Sequence, residues 1–394
     1  MFTKTHILTA VVFVFSACQL QAGVIHSTWI GGTQGDWGEA SNWSPAIVPD
    51  NTVWTTYVVS IDAYDYGIAV GIGQRYIIDQ LVCRGDVTLY GPWYPVNLTL
   101  TEDGLVNYGD LYTANLDFTG DVKNTDGAEL YLFDFFSAHG NLYNEPNATI
   151  EVTGRVMDIV DANIVNKGLI CASSNGGLDA DIEFLNSGRI ELFGGEVSGD
   201  IFDNNSIGII EGCGSLDSDQ MLNQGIVYSV GGVLNIHSDG SIINTGVFGN
   251  KPLAILNISS HEGVDNQGTI EVNAGGGVAF DCNLVNEPNA VIKLLNGTLA
   301  ATTITQKTGA TFEGFGGITG NVVIDPNAVI KLTGPTNIVG DVEIKEGATL
   351  DISDGTVLVT GLTTCNGGTI KTFHGTIITQ GGTSGGICRR IFVD

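Results

Sequence analysis

Short runs of Ile, Val, Leu, Phe and Thr recur along most of the chain, separated by small turn residues. In DVEIKEGATLDISDGTVLV (341–359), apolar and polar residues alternate within each run. A period of two belongs to strands, whose successive side chains point to opposite faces, and not to helices. VVIDPNAVIKLTG (322–334) has the form strand–turn–strand. Gly and Asn at the breaks suit left-handed backbone, which most residues avoid.

The runs form a repeat: an apolar residue, Asn, any residue, Gly, any residue, then an apolar residue. VNYGDL (106–111), VNKGLI (165–170), LNSGRI (185–190), LNQGIV (222–227) and INTGVF (243–248) are instances, with DNQGTI (265–270) close to them. The anchors read as Asn107, Asn124, Asn144, Asn166, Asn186, Asn205, Asn223, Asn244, Asn266 and Asn286, spaced 17 to 22 residues apart. Later units begin at Lys307, Asp325, Lys345 and Asn366 and keep the turn and strand while most lose the anchor Asn. A period near 20 admits leucine-rich repeats or β-solenoids. The Leu-x-x-Leu-x-Leu frame and a helical return are not visible. The pattern therefore predicts an all-β fold: a single-stranded, right-handed parallel β-helix of about 20 residues per coil. Each strand pairs with the coils before and after it, and stacking buries the apolar face. Residues 100–390 hold roughly 14 or 15 coils, about 70 Å at 4.8 Å per coil. The Asn side chains are expected to bond turn backbone and one another along the stack.

The organisation reads as three parts: 1–22, a signal peptide; 23–100, a Trp-rich capping region with the first coils; and 101–394, the solenoid with its end coil. Lys4, the apolar run Ile7–Ala17 and the Leu20-Gln21-Ala22 cleavage site carry the first assignment. The apolar run is shorter than the roughly 20 residues a membrane span needs. Phe15-Ser16-Ala17-Cys18 offers lipoprotein anchoring at Cys18 as a minor alternative. Removal of 1–22 leaves Cys83, Cys171, Cys213, Cys282, Cys365 and Cys388. Of these, Cys365 and Cys388 lie about one coil apart and are the expected disulfide. Cys171 and Cys213, about two coils apart, are too distant to pair along one column.

Composition narrows function. Asp and Glu total 43 against 15 Lys and Arg, a net charge of −28. So few cations exclude nucleic acid as a partner and disfavour an anionic membrane surface. A hydrophobic fraction of 43% excludes an acidic disordered tail. Asp179, Asp181 and Glu183 alternate and are expected to share one strand face. Asp351 and Asp354 form a looser pair across a turn. Oxygen ligands of this kind suit Ca²⁺, the one cofactor the sequence suggests. Asn124-Thr125-Asp126 matches a polygalacturonase segment but falls on a repeat anchor. Neither the six histidines nor Arg155 and Arg189 fall in a recognisable catalytic pattern.

All five tryptophans precede the Asn-Gly repeat. TWIGGTQGDWGEASNWSPAIVP followed by VVSID resembles the opening segment of exported bacterial β-helix surface and passenger-like proteins, and VNKGLI and DNQGTI are similar to their repeats. The resemblance implies a cap over the first coil, with Trp37 and Trp43 in the cap or at an assembly or glycan contact. The reading that follows is a secreted or cell-surface structural or adhesive protein without an enzyme site. End-to-end self-assembly and extracellular glycans are its expected partners, and it carries no integral membrane span. The alternative is a carbohydrate-binding or polysaccharide-degrading β-helix.

Overall fold

The computed structural model describes residues 23–91, 96–154, 157–385 and 389–393. The expected signal peptide, Cys18, Trp93, Arg155 and Cys388 lie outside the described residues. The chain forms a parallel β-solenoid of about 16 turns with about 20 residues per coil. Through most of it, each coil contributes three strand segments, and each segment pairs in parallel with its counterparts one coil away. One line of paired positions runs Ile150, Ile170, Ile190, Ile210, Val227, Phe248, Ile270 and Ile292. All eight side chains are buried. No coil could bury this line alone, so apolar burial and strand pairing arise together only on stacking.

The turn after the anchor takes two forms. In the longer form, Asn147 (φ 60°), Asn289 (φ 72°) and Gly309 (φ 84°) adopt left-handed backbone, as expected for Asn and Gly. The Asn-x-Gly form differs, because Gly168, Gly188, Gly246 and Gly268 do not have positive φ. Their glycine is required by close stacking instead. A Cβ on Gly246 would lie 2.0 Å from the Gly225 carbonyl oxygen, and one on Gly188 2.1 Å from that of Gly168.

The anchor side chains point inward and form one continuous ladder. Asn107, Asn124, Asn144, Asn166, Asn186, Asn204, Asn223, Asn244, Asn266 and Asn286 each donate from Nδ2 to the amide oxygen of the next coil, at 2.7–3.0 Å. The last acceptor is Gln306 Oε1. These side chains are at most 1% exposed. Their second amide protons reach backbone carbonyls, as in Asn144 Nδ2 to Leu169 O at 3.0 Å. A buried amide is costly only when unpaired, and the stack pairs each one.

Two assignments change. Asn204, not Asn205, carries the ladder; Asn205 faces outward and bonds Ser187 Oγ. Gln306 extends the ladder past the last Asn. Beyond it the same line becomes Ile324, Ile344 and Cys365. On the other side it continues as Cys83 and Ile61.

At the N-terminal end, Gly23–Trp29 pairs in parallel with Thr55–Gly71. Trp43–Ser44 adds antiparallel across Thr28 and Trp29 and covers that edge. Trp29, Trp37 and Trp43 pack edge-to-face, with centroid separations of 5.0 and 4.7 Å. Trp37 Nε1 donates to Pro49 O and Trp43 Nε1 to Trp37 O. Cys365 is disulfide-bonded, whereas Cys83, Cys171, Cys213 and Cys282 are free thiols. Among the described residues, no helix is long and apolar enough to cross a membrane.

Candidate functional site

The coil register gathers acidic residues that lie far apart in sequence. On the sheet that contains Met157–Ile159, the outward positions Asp158, Asp179, Ser198, Asp217 and His237 succeed one another, one per coil. Beside them, at the corner leading to the next sheet, stand Asp181, Asp200, Asp219 and Asp239. All of these but Asp158 line a shallow groove of about 240 Å³ whose lining contains neither Lys nor Arg. A neighbouring pocket of about 370 Å³ continues past His237 to His261, Asp281 and Cys282.

Local bonds fix part of the groove. Ser198 Oγ donates to Asp179 Oδ1 at 2.6 Å, and the Asp161 backbone N–H donates to Asp181 Oδ2 at 3.0 Å. Farther along, Ser259 Oγ donates to Asp281 Oδ2 at 2.6 Å. His237 Nε2 and His261 Nδ1 each approach Asp239 Oδ1 at 3.4 Å. Burial, then the charges of Asp179 and Asp181, raises the Asp158 pKa. Burial and the charges of Asp219, Asp181 and Asp179 raise that of Asp200. Hydrogen bonding to Asp217, followed by burial and neighbouring charge, raises that of Glu196. Like charges held one strand spacing apart resist simultaneous ionisation.

The calcium expectation fares unevenly. Asp179 and Asp181 do line the groove, but Glu183 does not. The strand bends between Ala180 and Glu183, where the register shifts, so Glu183 passes to the next sheet beside Asn163 and Ile201. Asp351 is engaged by Lys371 Nζ at 3.3 Å, and Asp354 caps its own turn through the Gly355 N–H. Among the described residues, no three His, Cys, Asp or Glu side chains are placed to hold a metal ion.

The glycan contact assigned to Trp37 and Trp43 is overturned by burial. Both rings are 0% exposed, so neither offers a face to a sugar. Asn124 belongs to the ladder, and Asp126 accepts from Asn147 Nδ2 at 2.8 Å, so the polygalacturonase-like segment is structural. Arg189 is held by Glu191 and Glu211. Sequence reasoning missed Asp158, Asp200, Asp217, Asp219, Asp239 and the groove position of His237. Their recurrence at coil spacing was the available signal.

No family model, curated protein or solved structure matches the chain.

Proposed function

We propose that the protein is an exported structural or adhesive rod that works outside the cell or on its surface. The observation that carries this reading is the unbroken amide ladder from Asn107 to Gln306, which ties successive coils along one axis. The whole solenoid of about 16 turns is stiff and extends about 75 Å at 4.8 Å per coil. It holds surface groups at fixed intervals, which suits a scaffold or adhesin. The apolar run Ile7–Ala17 and the Leu20-Gln21-Ala22 site support export.

Self-assembly is part of the proposal. Gly375–Thr379 and Thr383–Gly385 each pair with another strand on one side only among the described residues. Strand edges of this kind accept another strand. The −28 charge opposes close approach of two rods, so salt or Ca²⁺ should promote it.

The test is electron microscopy of protein lacking residues 1–22, with Ca²⁺ and with chelator, across ionic strengths. Single rods of the stated length support the scaffold, and ordered filaments support end-to-end assembly. Rods that stay single at high concentration in every condition reject assembly. Turnover of a glycan by the purified protein would replace the structural reading with an enzymatic one.

A further inference from the structure

Near the first coils the surface changes character. Between Ala63 and Ile68 the strand departs from register with its neighbour, so residues 64–67 stand opposite Asp86 alone. This bulge lifts Tyr64 and Tyr66 into solvent, at 73% and 61% exposure. Beneath them is a pocket of about 200 Å³, lined by both tyrosines together with Trp29, Ile30, Asp62 and Ile68.

Polar groups flank the pocket. Asp62 and Arg84 occupy successive coils and form an ion pair at 2.9 Å. The Arg84 guanidinium also lies 5.4 Å from the Tyr108 ring centroid. The hydrogen bond to Asp62 is the main reason the Arg84 pKa rises, and the Tyr64 and Tyr108 hydroxyls also contribute. The rings, carboxylate and guanidinium therefore form one cluster.

We infer that this pocket binds one ring of a neutral oligosaccharide. Exposed tyrosines provide flat, rigid faces with a polar rim at low entropic cost. Asp62 in the lining presents acceptors, and Arg84, ion-paired with it, carries further donors next to them, the combination that bonds neighbouring sugar hydroxyls. The Asp62–Arg84 pair is neutral, Asp86 beside the bulge adds a negative charge, and the −28 chain disfavours a polyanion. The volume falls below the roughly 300–1,000 Å³ of drug-sized sites, which suits a single ring better than a cofactor. The inference rests on the adhesive reading and narrows its glycan partner to neutral sugars. It also moves the expected glycan contact from the buried tryptophans to Tyr64 and Tyr66.

Titration of the mature protein with neutral gluco-, xylo-, manno- and chito-oligosaccharides tests this, read by the fluorescence of Trp29 in the pocket wall and by sugar NMR. At least one of them should bind at or below about 10 mM, the weak end of specific affinity, with little change in 0.5 M salt. The double substitution Tyr64→Ala/Tyr66→Ala should weaken binding about tenfold or more. Tyr66→Phe, which keeps the ring, should retain most of it, and the distant Tyr228→Ala should change nothing. Unchanged circular dichroism would show that the variants fold. Absence of binding by the wild type, binding indifferent to the double substitution, or binding abolished by salt would overturn the inference. If rods form yet no neutral sugar binds, the inference fails alone. Turnover would instead defeat the structural reading.

Discussion

The solenoid fills one interior line in two ways. From Asn107 to Gln306 the line is an amide ladder, and from Ile324 to Cys365 it is apolar. Both stretches keep parallel coil-to-coil pairing, and the longer turn of Asn147 and Asn289 recurs at Asn327 and Gly347. The amide stretch puts its cross-coil polar bonds inside. The apolar stretch has no amide bonds on this line, and its cross-coil polar pairs stand one residue on, where Asp325 lies between Lys307 and Lys345 at 3.0 and 2.8 Å, the position at which Lys167 meets Glu145 beside the ladder. One backbone thus accepts either solution, provided each amide on that line has a partner one coil away.

The comparison can be broken most sharply in the middle of the ladder. Asn204→Leu leaves Asn223 Oδ1 without its side-chain donor and Asn186 Nδ2 without its acceptor. Unpaired buried groups cost about 1–3 kcal/mol each, so a loss of about 3 kcal/mol is expected. Hydrogen exchange should place the loss in adjoining coils, because each coil contacts only its neighbours.

The reverse change comes next. Ile344→Asn puts an amide between Ile324 and Cys365, where no side-chain amide awaits it. A penalty of about 2 kcal/mol is expected, against about 1 for Ile344→Val. If Ile344→Asn were neutral in chemical denaturation, backbone partners alone would suffice and the contrast would collapse.

The smallest effect concerns the outer charges. Burial raises the Asp325 pKa, but hydrogen bonds and charge from Lys345 and Lys307 outweigh it and leave the pKa lowered. Its stabilisation is therefore present above the ordinary carboxylate range and lost as pH falls through the lowered value. Asp158 and Asp200 have raised pKa values. They act oppositely, favouring the fold at low pH and losing that contribution as pH rises through the raised values. Lys345→Gln should cost under about 1 kcal/mol at neutral pH and nothing once Asp325 is protonated. Asp200→Asn should raise the melting temperature at neutral pH, with the gain disappearing in acid.

The coil period was legible because the anchor Asn and the turn Gly are needed in most coils for the same physical reason. Register at single-residue precision was less so. Asp203-Asn204-Asn205 offers two asparagines, and only the lateral bonds choose between them. Gln306 escaped notice because it supplies the same amide on a side chain one methylene longer. The corner after Ala180 has no Gly or Pro to mark it, so Glu183 seemed to share a face with Asp179. Tryptophans serve equally in a cap or a sugar platform, and the sequence does not reveal that Trp37 and Trp43 are wholly enclosed. The tyrosine pocket was hidden because it depends on a bulge opposite a different coil.

The ladder also has a direction. Each amide presents its oxygen toward the N-terminal end and its NH₂ group toward the C-terminal end, through ten successive bonds. Turning over one amide would set NH₂ against NH₂ on one side and oxygen against oxygen on the other. The eleven side chains are therefore oriented as a set, and their dipoles add and polarise one another along the axis. Two rods meeting end to end would be electrically distinct at head and tail, a polarity carried inside the molecule and out of reach of the salt that screens its surface.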